Sequence, residues 1–222
     1  MSPHLPLSSD LPDVLPVFPL SGALLLPHGH LPLYIFEPRY LSMVTDALGR
    51  DRMIGMIQPI IPEPGRVGDS VKLHGVGCAG RIVSFSETDD GHFEIVLLGI
   101  SRFQVAEELD LLNGYRRIVP DFEAFRSDQD EDGGMVADRN RLLKAVRAFC
   151  EAKQIEVDWE AIEEASDEAL VSSLSMICPF DPQEKQALLE CNNLGARSDM
   201  LTSLMEMALL ESGDDTVTAA RH

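Results

Sequence analysis

Lysine is scarce in this sequence. Four of its 222 residues are lysine (Lys72, Lys144, Lys153 and Lys185), and none follows a glycine. The Gly-Lys-Ser/Thr core of a phosphate-binding loop is therefore missing, which excludes ATP use through a P-loop. Cysteine is as sparse: Cys78, Cys150, Cys178 and Cys191 lie far apart in apolar surroundings. No Cys-x-x-Cys and no His-Glu-x-x-His occurs, so a conventional zinc site is not expected. The Gly-x-Ser-x-Gly elbow of serine hydrolases is missing too. No run approaches the roughly 20 apolar residues of a membrane span. The opening Met1-Ser2-Pro3-His4 shows no positive region leading into an apolar one, so the expectation is a cytoplasmic protein with reduced cysteines. Positive charge is short overall, with 18 basic against 37 acidic side chains and a formal net charge of −19. Such a surface repels phosphates, which disfavours nucleic acid and anionic membranes as partners. A basic or neutral polypeptide remains compatible.

What is present is an ordinary globular composition, 45% hydrophobic and 25% charged. From residue 14 to about 125 the pattern is of short β-like runs separated by Gly, Pro and Asp, with strands expected at 14–18, 31–36, 53–58, 78–86, 93–98, 103–107 and 115–121. Asp90-Gly91 between two of these runs marks a hairpin. Strands at this spacing, without alternating helices, indicate a small closed or partly closed barrel. One helix interrupts them: Pro38 suits a first helical turn, Tyr40, Val44 and Leu48 recur every four residues, and Gly49 ends it.

Residues 126–134 (RSDQDEDGG) are acidic, glycine-containing and devoid of apolar side chains, and so read as a linker. Beyond it the period becomes helical. Leu142, Val146, Phe149 and Cys150 mark one helix, and Leu170, Leu174 and Ile177 another. Asp181-Pro182-Gln183-Glu184 has the order of a capping box, and Leu201, Leu204, Met205, Ala208 and Leu209 form a final apolar stripe. The expected organisation is a β subdomain over 13–125, a helical subdomain over 135–211, and flexible tails at 1–12 and 212–222. Residues 1–125 carry 16 acids and 9 bases (−7), and residues 126–222 carry 21 and 9 (−12), so the helical part is the more acidic.

Two decoys carry less than they promise. Gly75-Val76-Gly77-Cys78-Ala79-Gly80 matches Gly-x-Gly-x-x-Gly, but a dinucleotide fingerprint needs a helix after the third glycine. Here Arg81-Ile82-Val83-Ser84-Phe85 follows, which is strand-like, so the glycines are assigned to a close approach of barrel strands. His28 and His30 could share one side of an extended segment, yet no third ligand lies near in sequence. No metal and no cofactor are expected.

A longer ordered series of motifs is specific. Phe18-Pro19-Leu20, Pro27 and Leu33-Tyr34-Ile35-Phe36-Glu37-Pro38-Arg39-Tyr40 resemble the opening of the Lon N-terminal domain family, the substrate-binding domain of Lon proteases. The resemblance continues through Gly55-Met56-Ile57, Val76-Gly77-Cys78-Ala79-Gly80-Arg81-Ile82, Leu98-Gly99-Ile100-Ser101-Arg102-Phe103 and Lys185-Gln186-Ala187-Leu188-Leu189-Glu190. It implies an α+β fold, a PUA-like β pseudo-barrel followed by a C-terminal α-helical bundle. It also implies recognition of unfolded or tagged polypeptides. In full-length Lon proteases an ATPase module and a Ser-Lys protease domain follow this region. Neither is found in these 222 residues, so the expectation is a stand-alone, non-catalytic polypeptide-binding module. Its expected partners are unfolded or extended polypeptides, a Lon-type protease, or another quality-control protein.

Candidate binding or motif residues fall in two groups. Leu24-Leu25-Leu26 and Ile60-Ile61-Pro62 are unusually apolar for loops and could meet an extended chain, or else pack on the helical part. Glu37 and Arg39 could form a site or brace the strand-to-helix corner; Arg102 could clamp a turn while Phe103 fills the core. Two rival readings remain. One is a small-molecule enzyme in a barrel–helix cleft, using Glu37, His74 or Cys78. The other is an RNA binder, which would need Arg81, Arg116 and Arg117 on one basic face.

Overall fold

The computed structural model describes residues 11–61, 68, 70–129 and 135–219, with side chains as far as residue 210. Six strands form one mixed sheet: β1 (Leu15–Pro19), β2 (His30–Ile35), β3 (Met53–Ile57), β4 (Val76–Glu87), β5 (Phe93–Leu112) and β6 (Tyr115–Asp121). Their order is β2-β5-β4-β3-β1-β6, and β5 also pairs with β6, which closes the sheet into a pseudo-barrel. The β1–β3 pair is parallel and the others are antiparallel. Helix α1 (Pro38–Leu48) plugs the barrel, with Pro38 in its first turn and Gly49 at its C-cap. Tyr40, Met43, Val44 and Ala47 are buried on it, and Leu48, the third residue of the expected pattern, is half-buried.

Two expected strands are one. The runs at 93–98 and 103–107 belong to the 20-residue β5, whose first half pairs with β2 and β4 and whose second half pairs with β6. Gly99 looks like a turn in the sequence but serves a close approach. The backbone of the β1–β2 loop lies directly on it: His28 N donates to Gly99 O at 2.9 Å, and Gly99 N donates to Gly29 O at 2.8 Å. A Cβ at Gly99 would collide with the carbonyl of Leu26. The decoy glycines act alike within β4, where a Cβ on Gly80 would come within 2.6 Å of Leu25 Cδ2.

After β6 the chain makes a 3₁₀ segment (Glu123–Gln129) and then five helices: α2 (Arg139–Lys153), α3 (Trp159–Glu164), α4 (Asp167–Ile177), α5 (Pro182–Glu190) and α6 (Leu194–Ala219). The expected capping box opens α5: Asp181 Oδ1 accepts from Gln183 N and Glu184 N at 2.8 Å, and Glu184 Oε2 accepts from Asp181 N at 2.8 Å. The short α3 had no periodic signal. It is stapled by Arg139, which pairs with Asp167 at 2.5 Å and donates to the carbonyls of Glu163 and Ala165. The backbone of α6 continues to Ala219, through most of the stretch expected as a tail.

Two buried clusters stabilise this α+β fold. The smaller lies in the barrel around Leu15, Met53, Leu98, Ile100 and Phe103. The larger runs from Phe18, Ile35 and Met43 through Leu24, Leu25 and Leu26 to Phe149, Leu174, Leu188 and Leu201. Barrel and bundle therefore share one core.

Candidate functional site

The loop leucines are buried. Leu24, Leu25 and Leu26 are at most 2% exposed and pack in the core shared with the helices. Their apolar character is the price of carrying a loop beneath a helical layer. Ile60 and Ile61 are different, at 45% and 70% exposure. Pro62, the third member of that candidate loop, lies outside the described residues.

Glu37 and Arg39 sit together at the strand-to-helix corner. Arg39 Nε donates to Glu37 Oε2 at 3.0 Å, and the guanidinium carbon lies 4.5 Å over the Tyr40 ring. Arg39 is buried and Glu37 is half-buried.

Arg102 and Phe103 face opposite sides of β5, as adjacent strand residues must. Phe103 fills the barrel. Arg102 enters the seam between barrel and bundle, where its guanidinium grips Asp128 at 2.9 Å (Nε–Oδ2) and 2.7 Å (Nη2–Oδ1). Its Nη1 donates to the carbonyls of Leu189 at 3.0 Å and Cys191 at 2.5 Å. Arg197 Nε donates to Leu188 O at 2.9 Å. Two cations thus satisfy the carbonyls that the end of α5 leaves unpaired, where the helix dipole favours positive charge. Burial, then the neighbouring Arg102, holds the Arg197 pKa below its usual value. Asp128 corrects the linker reading, because part of the acidic run is a 3₁₀ turn whose carboxylate is buried against Arg102.

Further along the seam the contacts are neutral or singly charged. Gln58 Oε1 accepts from Gly22 N at 2.9 Å, while its Nε2 donates to Pro182 O and to Gln186 Oε1. Gln186 Nε2 donates to Val76 O at 3.1 Å, and Lys185 Nζ to Gly22 O at 2.9 Å. The segment 185–190 therefore matters through the polar side chains with which α5 grips the barrel. Gln58, Asp128 and Arg197 were missed by sequence reasoning. Gln58 and Asp128 have partners distant in the chain, Arg197 holds a carbonyl one element back, and no local signal marks any of them.

Of the residues that the rival readings need, Cys78 and Arg116 are buried. Cys78 lies in the barrel wall at 1% exposure, and desolvation pushes its thiol well above the ordinary range, so a thiolate is disfavoured. The cleft of about 360 Å³ between the β1–β2 loop and α4 is lined by His28, His30, Ser166, Glu168, Ser173 and Met176, among others. Glu37, His74 and Cys78 are not among its lining residues. Among the described residues, no group of three or more His, Cys, Asp or Glu could hold a metal ion. Arg116 is buried in a two-point pair with Glu108, at 2.6 and 2.7 Å, and cannot join Arg81 and Arg117 on one basic face.

The exposed apolar side chains lie elsewhere. Tyr34 and Phe36 project from the end of the sheet at 48% and 57% exposure, and Phe85 stands beside Phe93 with ring centroids 5.0 Å apart. Tyr34 is held in place: its hydroxyl meets His92 Nδ1 at 2.7 Å and donates to Asp90 Oδ2 at 3.3 Å. Periodicity alone hid this cluster, because 31–36 alternates two apolar faces and gives no sign of which one meets solvent.

A pseudo-barrel keyed by buried polar side chains to a C-terminal helical layer defines an α+β domain class. The chain belongs to the ATP-dependent protease La (LON) substrate-binding domain family, whose family model matches residues 14–207. It is similar to Lon protease 2 of Myxococcus xanthus, 27% identical over 205 residues, covering 88% of this chain and 24% of that protein. It is 32% identical over 103 residues to Lon protease 2 of Sorangium cellulosum, covering 45% of this chain and 12% of that one. The chain thus spans about a quarter or less of the length of these relatives. Among solved structures, a Lon N-terminal domain protein from Xanthomonas campestris aligns with a TM-score of 0.61 at 22% identity, covering 86% of this chain and 97% of that one. The N-terminal domain of the Mycobacterium avium complex Lon protease aligns at 0.57 with 14% identity, covering 87% and 98%. Both likenesses concern the fold. Among the described residues, no helix is long and apolar enough to cross a membrane.

Proposed function

We propose that this chain is a non-catalytic module that holds unfolded or extended polypeptide segments, as an adaptor in protein quality control or alongside a Lon-type protease. The observation that carries this reading is membership of a substrate-binding domain family over residues 14–207. Exposed apolar side chains at Tyr34, Phe36, Ile60 and Ile61 support it, since a receptor for unfolded chains must present apolar surface to water. The engagement of Cys78 in the barrel wall gives a thiol enzyme no support. Fluorescence polarisation of a labelled, permanently unfolded casein-like chain, titrated against a folded protein of similar size, tests the reading. Saturable binding of the unfolded chain alone is expected. Equal binding of both, or of neither, would refute it.

A further inference from the structure

The strand β2 has a partner, β5, on one side and no strand on the other among the described residues. Exposed strand edges are usually blunted by lysine or by an inward charge. This one carries neither, and the device it does carry is the single Pro32: residues 30–36 read His-Leu-Pro-Leu-Tyr-Ile-Phe. Pro32, which has no N–H to offer, is tolerated in a sheet at such an edge. The side chains alternate across the sheet, so Leu31, Leu33 and Ile35 turn to the core while Pro32, Tyr34 and Phe36 turn to solvent.

The register builds a trough on the outer face. Pro32 lies beside Val96, which lies beside Ser84; Tyr34 lies beside Glu94, which lies beside Ser86. These six residues line a shallow groove of about 400 Å³ with small hydroxyl side chains on one flank and the Tyr34 ring on the other. The Tyr34–His92–Asp90 hydrogen bonds hold that ring before any partner arrives, which lowers the entropy lost on binding. Among the residues lining the groove the charged one is Glu94. Residues 82–98 contain Glu87, Asp89, Asp90 and Glu94 and no lysine or arginine. An acidic or purely apolar segment would leave these carboxylates uncompensated, whereas lysine or arginine side chains would complement them.

Building on the polypeptide-binding reading, we propose that β2 accepts an extended peptide as an added strand. On the outer face the side chains of that peptide are in turn apolar, beside Pro32 and Tyr34, and lysine or arginine, reaching Glu94, while those between them turn to the other face. Main-chain pairing makes the site tolerant of sequence, and the carboxylates bias it toward cationic, apolar segments.

The test uses the full chain with two labelled peptides beside the unfolded casein-like chain, each with serine at every second position and, between the serines, leucine in turn with arginine in one and with glutamate in the other. The arginine peptide should bind saturably, and about tenfold or more tightly than the glutamate peptide at low salt. Tyr34→Ser and Glu94→Lys, both at exposed positions, should each weaken it by about tenfold. Hydrogen exchange on the unsubstituted protein should show new protection in β2 when the arginine peptide is bound. Protection confined to other elements, equal binding of both peptides, or unchanged affinity in both variants would overturn this site. If the unfolded chain still bound, the polypeptide-binding reading would stand. Loss of binding to every unfolded chain and peptide would overturn both.

Discussion

Arg102 is a buried side chain on which barrel, 3₁₀ segment and bundle converge. It is 2% exposed, makes a two-point pair with Asp128 and donates to two carbonyls at the end of α5. A guanidinium taken so far from water is tolerable only while its charge and donors are matched. Asp128→Ala should therefore cost about 3–5 kcal/mol, because it leaves that charge buried and uncompensated. Urea denaturation would show this as a lower midpoint with little change in slope. The double variant Arg102→Met, Asp128→Leu should lose clearly less than the two single losses added together. A loss equal to their sum would mean that the pair is not coupled. The residues about which the sequence was ambiguous, Glu37 and Arg39, show why such questions stay open without a structure. Charged residues in an apolar stretch mark a partner somewhere, and only the folded chain shows that Arg39 bonds Glu37 and stacks over Tyr40.

At the scale of elements, local rules were legible wherever partner and signal lie within a few residues of each other. The Asp181 capping box, the proline at the start of α1 and the Asp90-Gly91 hairpin turn are all of this kind. The reading failed at β5. Gly99 breaks the apolar pattern, and the sequence shows two strands, but the residue is glycine because another backbone lies on its face. Gly99→Ala should thus destabilise by about 3 kcal/mol, since the colliding partner is main chain and cannot swing aside as a side chain could. Thermal melting of the variant beside Gly91→Ala makes the comparison. Gly91 meets nothing within 4 Å, and only its positive φ of 78° opposes a side chain. Similar losses at the two sites would remove the packing explanation.

Over the whole molecule, the barrel and the bundle share a core that extends from Phe18 and Met43 to Leu201 and Met205. Neither half can shed the other without exposing this surface and the buried polar groups of the seam. Denaturation should accordingly be a single cooperative transition, with far-ultraviolet dichroism and the fluorescence of Trp159, on α3, changing together. Two separated transitions would show that the halves are independent and that the seam adds little. The net charge of −19 belongs to this scale as well. Spread over both halves, it determines which partners approach, not how the chain folds.

Composition, periodicity and motif order determined the α+β class, the turn from strands to helices near residue 130 and the family, because these depend on patterns that survive in one dimension. Tertiary structure alone decided that Leu24–Leu26 are core, that Asp128 is a buried counter-ion and that Tyr34 stands on a strand with no second partner among the described residues. The reason is physical. Whether an apolar or charged side chain is satisfied depends on atoms brought to it from far along the chain, and burial is a property of the surroundings rather than of the residue.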